Sequence, residues 1–457
     1  MKASRGLLVA LSVYCCNSAF AGIEIYKSDD SFAEIFSTLD VAYGTVSNSL
    51  PANQYSPTSI MPWVTSGIKS YGGAADRQTD FFNGGLSTSN VGVQGHTKIN
   101  NEFSGIFKLD SAINPISMEL TDQAHAEAMN GGLRTPTTAY ATSSLNGETF
   151  AREAYFGVSS EHYGVVTVGR NNNFILDVMN ANAPLGKANL LTPFGNGVLG
   201  GGGGISENAR LENSIKYTDK QGRYNYGVEY TSGNGGGTVL GLGNSGKYGG
   251  RGWALNAGYD DSTFATQFVL ESFQNLLKTA PAAAGSSANN PLNYNAIALT
   301  AYDQKAALLA FKYRPNADLN FQAGLEKIKL SAASENVGSI TKIYDETVAS
   351  VVSYNGTEQS ITVKYIGADY KLTPSWNLGF SYSLVNMPSW SGFTNSSTSS
   401  FSGGDQHSNT VLLVNHFNEK TDIYLGVMNT RYSGAAFAGN TYITTDVVQA
   451  IGMRYKF

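Results

Sequence analysis

The sequence predicts an all-β protein, a transmembrane antiparallel β-barrel of about 16 strands, on three observations. Short stretches alternate apolar and polar side chains, which places the two kinds on opposite faces of a strand. Tight turns and long polar connections follow one another along the chain. Aromatic residues gather on the apolar faces near strand ends, as in the girdles of membrane barrels. Alternation alone would also suit a soluble sandwich, so the aromatic residues favour the barrel.

The first 21 residues have the layout of a secretory signal peptide. Lys2 and Arg5 precede an apolar run at 6–14, and Ala19-Phe20-Ala21 is a small-x-small cleavage site. An uncleaved anchor is the alternative, but the run is shorter than a membrane helix needs. Cleavage after Ala21 would leave 22–457 as one barrel domain.

Composition narrows the compartment and the class of protein. Both cysteines, Cys15 and Cys16, lie in the predicted leader, so the exported chain would use no disulfide. The formal net charge is −5 and becomes two units more negative without the leader, which argues against nucleic-acid binding. Outside the leader no apolar run approaches the ~18 residues of a membrane helix. A membrane location therefore requires a closed barrel.

The order of turns and connections indicates how the strands are joined. Tight turns are predicted at 100–101, 219–222, 260–261, 315–318, 373–374 and 418–420. Long connections are predicted at 47–86, 113–149, 171–209, 233–250, 273–303, 330–359, 386–407 and 432–445, with 294–302 open as strand or loop. Short periplasmic turns and long extracellular loops are typical of bacterial outer-membrane barrels.

The final residues alternate as a closing strand. Ile451, Met453, Tyr455 and Phe457 share one face, and the last position is aromatic. A barrel that closes on its own ends would present such a strand. We therefore predict that Tyr455 and Phe457 act as an assembly signal for the barrel-assembly machinery.

Six segments from the first predicted strand to the last share a pattern with a known family. They are Ile35–Tyr43 (IFSTLDVAY), Ser89–Asp110, Arg152–Arg170, Arg210–Tyr217, Lys420–Gly426 and Ile451–Phe457. The chain resembles the Gram-negative general porins, specifically the trimeric porins of betaproteobacterial and neisserial type. The resemblance implies a 16-stranded homotrimer in the outer membrane, a water-filled channel for ions and small hydrophilic solutes, and an inward-folded third loop. Asn90 and Gln94 stand where the family has arginine.

The third long connection, 171–209, is the candidate pore-constricting loop by its position in the chain. Its asparagine-rich and glycine-rich sequence suits a segment that satisfies its backbone groups inside a wet lumen. Charges facing a narrow lumen would set a transverse field on ions and polar solutes. The predicted pore-lining or constriction residues are Asp40, Asn90, Gln94, Lys108, Asp110, Arg152, Arg170, Asp177, Lys187, Arg210, Glu212, Lys216, Glu229 and Arg454. The alternatives are an ordinary surface loop, and charges that merely pair along the wall.

No pattern indicates catalysis, a metal or a cofactor. Gly195–Gly200 fits G-x-G-x-x-G, but the glycines at 200–204 oppose the helix that a dinucleotide site needs. The five histidines lack paired zinc-ligand spacing. We predict a non-enzymatic channel without cofactor, whose partners are its own copies, outer-membrane lipid and permeating solutes. A substrate-selective barrel of about 18 strands, a plugged receptor or adhesin, and a catalytic barrel remain open alternatives.

Overall fold

The structure is a computed structural model, and it describes only part of the chain. The described residues are 22–47, 50–51, 69–70, 78–116, 118–120, 150, 152–188, 190–193, 210–233, 250–282, 296–334, 342–343, 346–353, 358–387, 390–391, 400–401, 404–434 and 445–457. The predicted leader, 1–21, lies outside them, and so does 194–209 of the third long connection. The cleavage after Ala21 therefore stays a prediction.

Strands of alternating polarity build the wall, and they are numbered here in chain order. They are β1 (Ile23–Lys27), β2 (Ser31–Ser47), β3 (Gln78–Asn83), β4 (Asn90–Lys98), β5 (Ser104–Asn114), β6 (Ala154–Ser160), β7 (Gly164–Asn172), β8 (Arg210–Gln221), β9 (Tyr224–Thr231), β10 (Arg251–Asp260), β11 (Phe264–Ala282), β12 (Ala296–Tyr313), β13 (Leu319–Ala332), β14 (Gln359–Thr373), β15 (Trp376–Met387), β16 (Gly404–His416), β17 (Thr421–Gly434) and β18 (Thr445–Lys456). Short strands outside the wall are Leu50–Pro51, Lys69–Ser70, Glu119–Leu120, Lys342–Ile343, Glu346–Ser353, Trp390–Ser391 and Ser400–Phe401. Helix α1 (Phe174–Asn182) and a 3-10 turn (Pro184–Lys187) follow β7.

The wall closes because the last strand pairs with the first long one. β18 pairs antiparallel with β2 from Thr38↔Lys456 to Ser47↔Val447. The other edge of β2 pairs with β4 at 31–38 and with β3 at 41–46, so β3 and β4 form one interrupted wall strand. β1 extends the seam beside the end of β18. The described residues thus form a closed antiparallel barrel of 16 strands, and the predicted fold class is confirmed.

The outer face of the wall is apolar and aromatic, and the inner face is mostly polar. In β9, Tyr224, Tyr226, Val228 and Tyr230 are exposed on the outer face, while Glu229 between them is fully buried. The rings of Tyr224 and Tyr259 on the next strand lie 5.5 Å apart, edge to face. This division matches a wall with lipid outside and solutes inside. Among the described residues, no helix has the length and apolarity needed to span a membrane.

Three predicted connections contain strands that the alternation did not reveal. β3 (Gln78–Asn83) lies inside the connection predicted at 47–86 and pairs with β2. β11 and β12 remain paired as far as Ala282↔Ala296, well inside the connection predicted at 273–303. Their register shifts between Phe273 and Leu276, where Asn275 has a φ of 55°. The bulge breaks the period of two, so the pattern is lost although the strand continues. In the predicted connection 330–359, the strand Glu346–Ser353 pairs parallel with β12.

Candidate functional site

Helix α1 begins the described part of the third long connection. The Asn173 side chain accepts the N–H of Leu176 at 2.9 Å and so caps the helix. The other end of that side chain donates from Nδ2 to Glu271 Oε2 on β11 at 3.1 Å. One asparagine therefore both starts the helix and fixes it to the wall.

The helix packs against the inner faces of β8 and β10–β15. Phe174, Ile175, Val178 and Met179 are all buried. Together with apolar side chains of the wall they form one buried cluster. Its wall residues include Leu211, Val269, Phe273, Leu308, Ile328, Val363 and Val385. Tyr365 donates its hydroxyl to Met179 Sδ at 3.5 Å. These side chains account for an apolar sector of an otherwise polar inner face.

The chain then continues along the inner wall to β16–β18 and β2. Leu185, Ala188, Leu190 and Leu191 form a second apolar cluster, with wall partners Ala42, Phe82, Leu412, Tyr424, Met428 and Val448. Thr410 Oγ1 donates to Leu191 O at 2.7 Å, and Leu190 N donates to the carbonyl of Gly85 at 3.0 Å. Residues 174–188 and 190–191 therefore lie inside the barrel and follow its wall from β8 to β18 and β2.

Wall glycines make room for this segment. A Cβ on Gly227 would lie 2.5 Å from Phe174, one on Gly367 2.4 Å from Pro184, one on Gly379 2.2 Å from Leu185, and one on Gly426 2.4 Å from Leu191. The four positions belong to four different strands. Any side chain at these four positions would displace the loop. The four glycines therefore form the surface against which the loop packs, which we call the seat of the loop. Sequence reasoning missed this, because a strand glycine usually marks a bulge or a close backbone approach that only the structure can locate.

Six predicted charges, Lys108, Asp110, Arg152, Arg170, Arg210 and Glu212, meet on the wall of β5–β8. Asp110 accepts from Arg152 Nε and from Asn90 Nδ2, each at 2.8 Å. Arg170 pairs with Glu212 on the neighbouring strand. The side chains of Arg152 and Arg170 are 23% and 19% exposed. We call Lys108, Arg152, Arg170, Arg210, Asp110, Glu153 and Glu212 the lumen charge cluster.

Glu153 is a member of this cluster that the alternation did not reveal. It accepts from Lys108 Nζ at 2.5 Å. Burial alone would raise its pKa, but Lys108, Arg210 and Arg152 together hold the pKa below its usual value. Glu153 directly precedes β6, so the face assignment of a strand does not apply to it. Its position beside Arg152 was the available signal.

Asp177 of helix α1 and Lys216 of β8 meet between the helix and the wall rather than in the open lumen. Lys216 Nζ contacts Asp177 Oδ2 at 2.5 Å and donates to the Asn172 carbonyl at 2.6 Å. It also lies 4.4 Å from the centre of the Phe174 ring, a cation–π contact. Burial raises the pKa of Asp177, with Lys216 acting in the opposite direction. Glu229 is buried in the same region.

The remaining predicted residues lie elsewhere on the wall. Asp40 accepts the backbone N–H groups of 85–87 at 2.8–3.0 Å and the Tyr424 hydroxyl at 2.6 Å, so it holds the segment between β3 and β4. Arg454 pairs with Asp422 at 2.7 Å. Gln94 donates to Glu34 at 2.6 Å. Only the backbone of Lys187 is described, at the end of the 3-10 turn.

These features define a class of protein. A closed antiparallel barrel with an aromatic outer wall, charged inner wall and internal loop is an outer-membrane channel. Residues 60–435 match the family model of the Gram-negative porins, and the chain belongs to that family. It is an outer-membrane channel for small solutes, as predicted. In the part of the chain that the structure describes, no group of three or more His, Cys, Asp or Glu could hold a metal ion.

Solved structures share the fold at low identity. The anion-selective porin from Comamonas acidovorans is 14% identical with a TM-score of 0.57, covering 94% of this chain and 100% of that one. The trimer form of OmpT from Vibrio cholerae is 11% identical with a TM-score of 0.54, covering 94% and 100%. Salmonella typhi OmpF in complex with daunomycin is 14% identical with a TM-score of 0.50, covering 95% and 100%. No curated protein matches the sequence.

Proposed function

We propose that the chain is a passive diffusion channel that catalyses no reaction, with 171–209 as its constricting loop. One observation carries the proposal: residues 174–188 and 190–191 lie along the inner wall from β8 to β18 and β2, and the lumen charge cluster lies on β5–β8. The water path would then run between the loop and that cluster. The partial exposure of Arg152 and Arg170 supports this.

Ion selectivity would be weak in this arrangement. Lys108, Arg152 and Arg170 each have a carboxylate partner, so their fields largely cancel at a distance. Arg210, which begins β8 at the root of the loop, interacts electrostatically with Glu153 and Asp110, which already pair with Lys108 and Arg152. The cluster would retain a small positive excess, which favours anions slightly. Lys216, Asp177 and Glu229, predicted to line the pore, would instead position the internal loop, and Asp40 would hold the segment between β3 and β4.

A homotrimer is the proposed assembly. It is supported by the family to which the chain belongs and by the fold shared with the trimer form of Vibrio cholerae OmpT. Chemical crosslinking of the unheated protein in detergent should give a ladder ending at three subunits. A ladder ending at one subunit would refute the trimer without affecting the proposed channel.

Single-channel recording in a planar bilayer tests the channel directly. We expect stepwise, ohmic current that sugars do not reduce. Absence of steps would indicate a plugged receptor or adhesin, and a saturable block by one sugar would indicate a substrate-selective pore. Excision of 194–204 should raise the conductance, and unchanged conductance from a folded barrel would place the loop outside the constriction.

A further inference from the structure

The outer wall carries a group of lysines where membrane lipid is expected. Lys305 on β12, Lys327 and Lys329 on β13, and Lys364 on β14 alternate with buried inner-face residues such as Gln304 and Glu326. Lys305, Lys327 and Lys364 are exposed, and the Lys329 side chain is 44% exposed. We call these four residues the outer lysine cluster. They cannot serve the pore, because they are on the opposite face of the wall.

Strand register brings the four side chains together. Lys305 is directly opposite Lys329 across the β12–β13 ladder. Lys327 is the next outward residue on β13, and Lys364, opposite Leu325, is its diagonal neighbour on β14. Opposed and diagonal side chains of a ladder lie within about 5–8 Å. Like charges placed in this way repel one another, and an anion bound between them would reduce this repulsion.

The cluster lies where the outward apolar residues of β13 end, after Leu325. On neighbouring strands the same register row passes through Tyr230, Trp253 and Ser272 before it reaches Lys305. Phe321, which stacks with Tyr313 near the tight turns, is about 20 Å from Lys327 at roughly 3.4 Å per residue. At a strand tilt of about 40°, this length is roughly 15 Å of height, so the outward apolar surface of β13 ends at the cluster, short of the 25 Å of a typical apolar band. The lysines therefore lie at the margin on the side of the long connections.

Acidic partners are too few to neutralise the cluster. Glu358, just before β14, pairs with Lys329 at 2.6 Å. Its pKa is lowered by that hydrogen bond first, and then by the charges of Lys329, Lys305 and Lys327, so the cluster stabilises an anion beside it. Asp303, further along β12, already accepts the N–H of Asn275 at 2.8 Å. Among the described residues, no carboxylate forms an ion pair with Lys305, Lys327 or Lys364.

We propose that the outer lysine cluster binds the phosphates of an anionic lipid headgroup in the leaflet on the long-connection side. Two phosphates on one headgroup would match lysines spread over three strands. The acyl chains would lie on the apolar surface below, formed by residues such as Leu325 and Ile366. Lysine is suited to this role, since its long stem lies on apolar surface while its ammonium group reaches polar headgroups.

The test uses the full chain in zwitterionic detergent and native mass spectrometry, with bisphosphorylated lipid A as the probe and its dephosphorylated form as the comparison. The variant K305Q/K327Q/K329Q/K364Q should bind the phosphorylated probe about tenfold more weakly. The four Lys→Arg changes should preserve binding. The matched control K98Q/K220Q/K371Q/K420Q removes four lysines near the tight turns and should bind like the wild type.

Three results would overturn the proposal: equal binding by the fourfold Gln variant, equal weakening in the matched control, or indifference to the phosphates. A fall in trimer content with unchanged lipid binding would also overturn it, since the surface would then contact another subunit. If the fourfold variant does not give a heat-modifiable barrel, K305Q/K329Q replaces it. That pair removes the opposed like charges and should fold while binding the probe more weakly than the wild type, and wild-type binding would count against the proposal.

Discussion

Gly367 on β14 lies directly against Pro184 of the internal loop, so closely that a Cβ on the glycine would be 2.4 Å from Cβ of the proline. Neither group can yield easily, because Pro184 is a rigid ring and the Phe380 carbonyl is 2.8 Å from the same point. The 3-10 turn therefore rests on bare backbone.

Gly367→Val should push the turn away from the wall and into the water path. We expect a lower single-channel conductance, while the variant barrel keeps the normal change in gel mobility on heating. Gly105→Val is the matched control, because a Cβ there meets nothing closer than 3.6 Å. Equal conductance in the wild type and Gly367→Val would show that the turn does not border the path.

Lys216→Met should destabilise the protein by about 3–5 kcal/mol, because it leaves Asp177 buried without its partner. Lys216→Met/Asp177→Leu should recover much of the loss. Unfolding in guanidinium, followed by the gel shift of the heat-modifiable form, measures both. A double variant no more stable than the single one would contradict the pairing as the cause.

The same variant has a pH signature. The pKa of Asp177 is raised in the folded protein by burial, so protonation favours the folded state. Loss of Lys216 removes the group that opposes this rise. The stability deficit of Lys216→Met should therefore shrink as the pH falls and be largest near neutrality. A deficit that grows on acidification would exclude Asp177 as its source.

Glu153→Gln should increase anion preference, because it releases the charges of Lys108, Arg152 and Arg210 from their shared carboxylate. Reversal potentials across a KCl gradient measure the shift, with Glu102→Gln in an exposed turn as the control. Because the folded pKa of Glu153 lies below its ordinary value of 4.5, the wild type should approach the variant only below that pH. If the reversal potential of the wild type already approaches that of Glu153→Gln near pH 6, a group other than Glu153 is titrating.

Asn90→Arg/Gln94→Arg should also increase anion preference. Asn90 contacts Asp110, and Gln94 contacts Glu34, so each new guanidinium would neutralise one wall carboxylate. A unit charge at ~4 Å acts with about 1 kcal/mol in water, and more in a narrow lumen. Reversal potentials identical to the wild type would place both positions away from the narrow zone.

Replacing Phe457 with Asp should sharply reduce the yield of heat-modifiable protein. Its backbone N–H donates to Ser37 O at 3.0 Å and its carbonyl accepts from Ser37 N at 2.7 Å, so it completes the seam. Its ring lies 5.9 Å from that of Tyr455. Phe417→Asp, in an exposed turn, is the control, and similar losses in both variants would remove any special role of Phe457.

The wall could be predicted from the sequence, whereas the seat of the loop could not. Alternation in β9 and β18 identified strand faces because the period of two is a property of the backbone itself. Asn275 hid the continuation of β11, since one extra residue reverses the faces. The contact of Phe174 with Gly227 joins residues on separate elements, and no local pattern specifies it. The lumen charge cluster was predicted residue by residue except for Glu153, but which charges pair depends on strand register.

The seat of the loop also orders the events of assembly. Leu191 accepts its hydrogen bond from Thr410, a partner 219 residues away, and its glycine contact is on β17. Contacts so distant in sequence form late, because long segments must first be brought together. The loop can take its place only after most of the wall has been laid down. An assembly intermediate in which the loop has not yet packed against the wall would have a wider lumen than the folded channel. The lumen would therefore become narrow in the final step of folding.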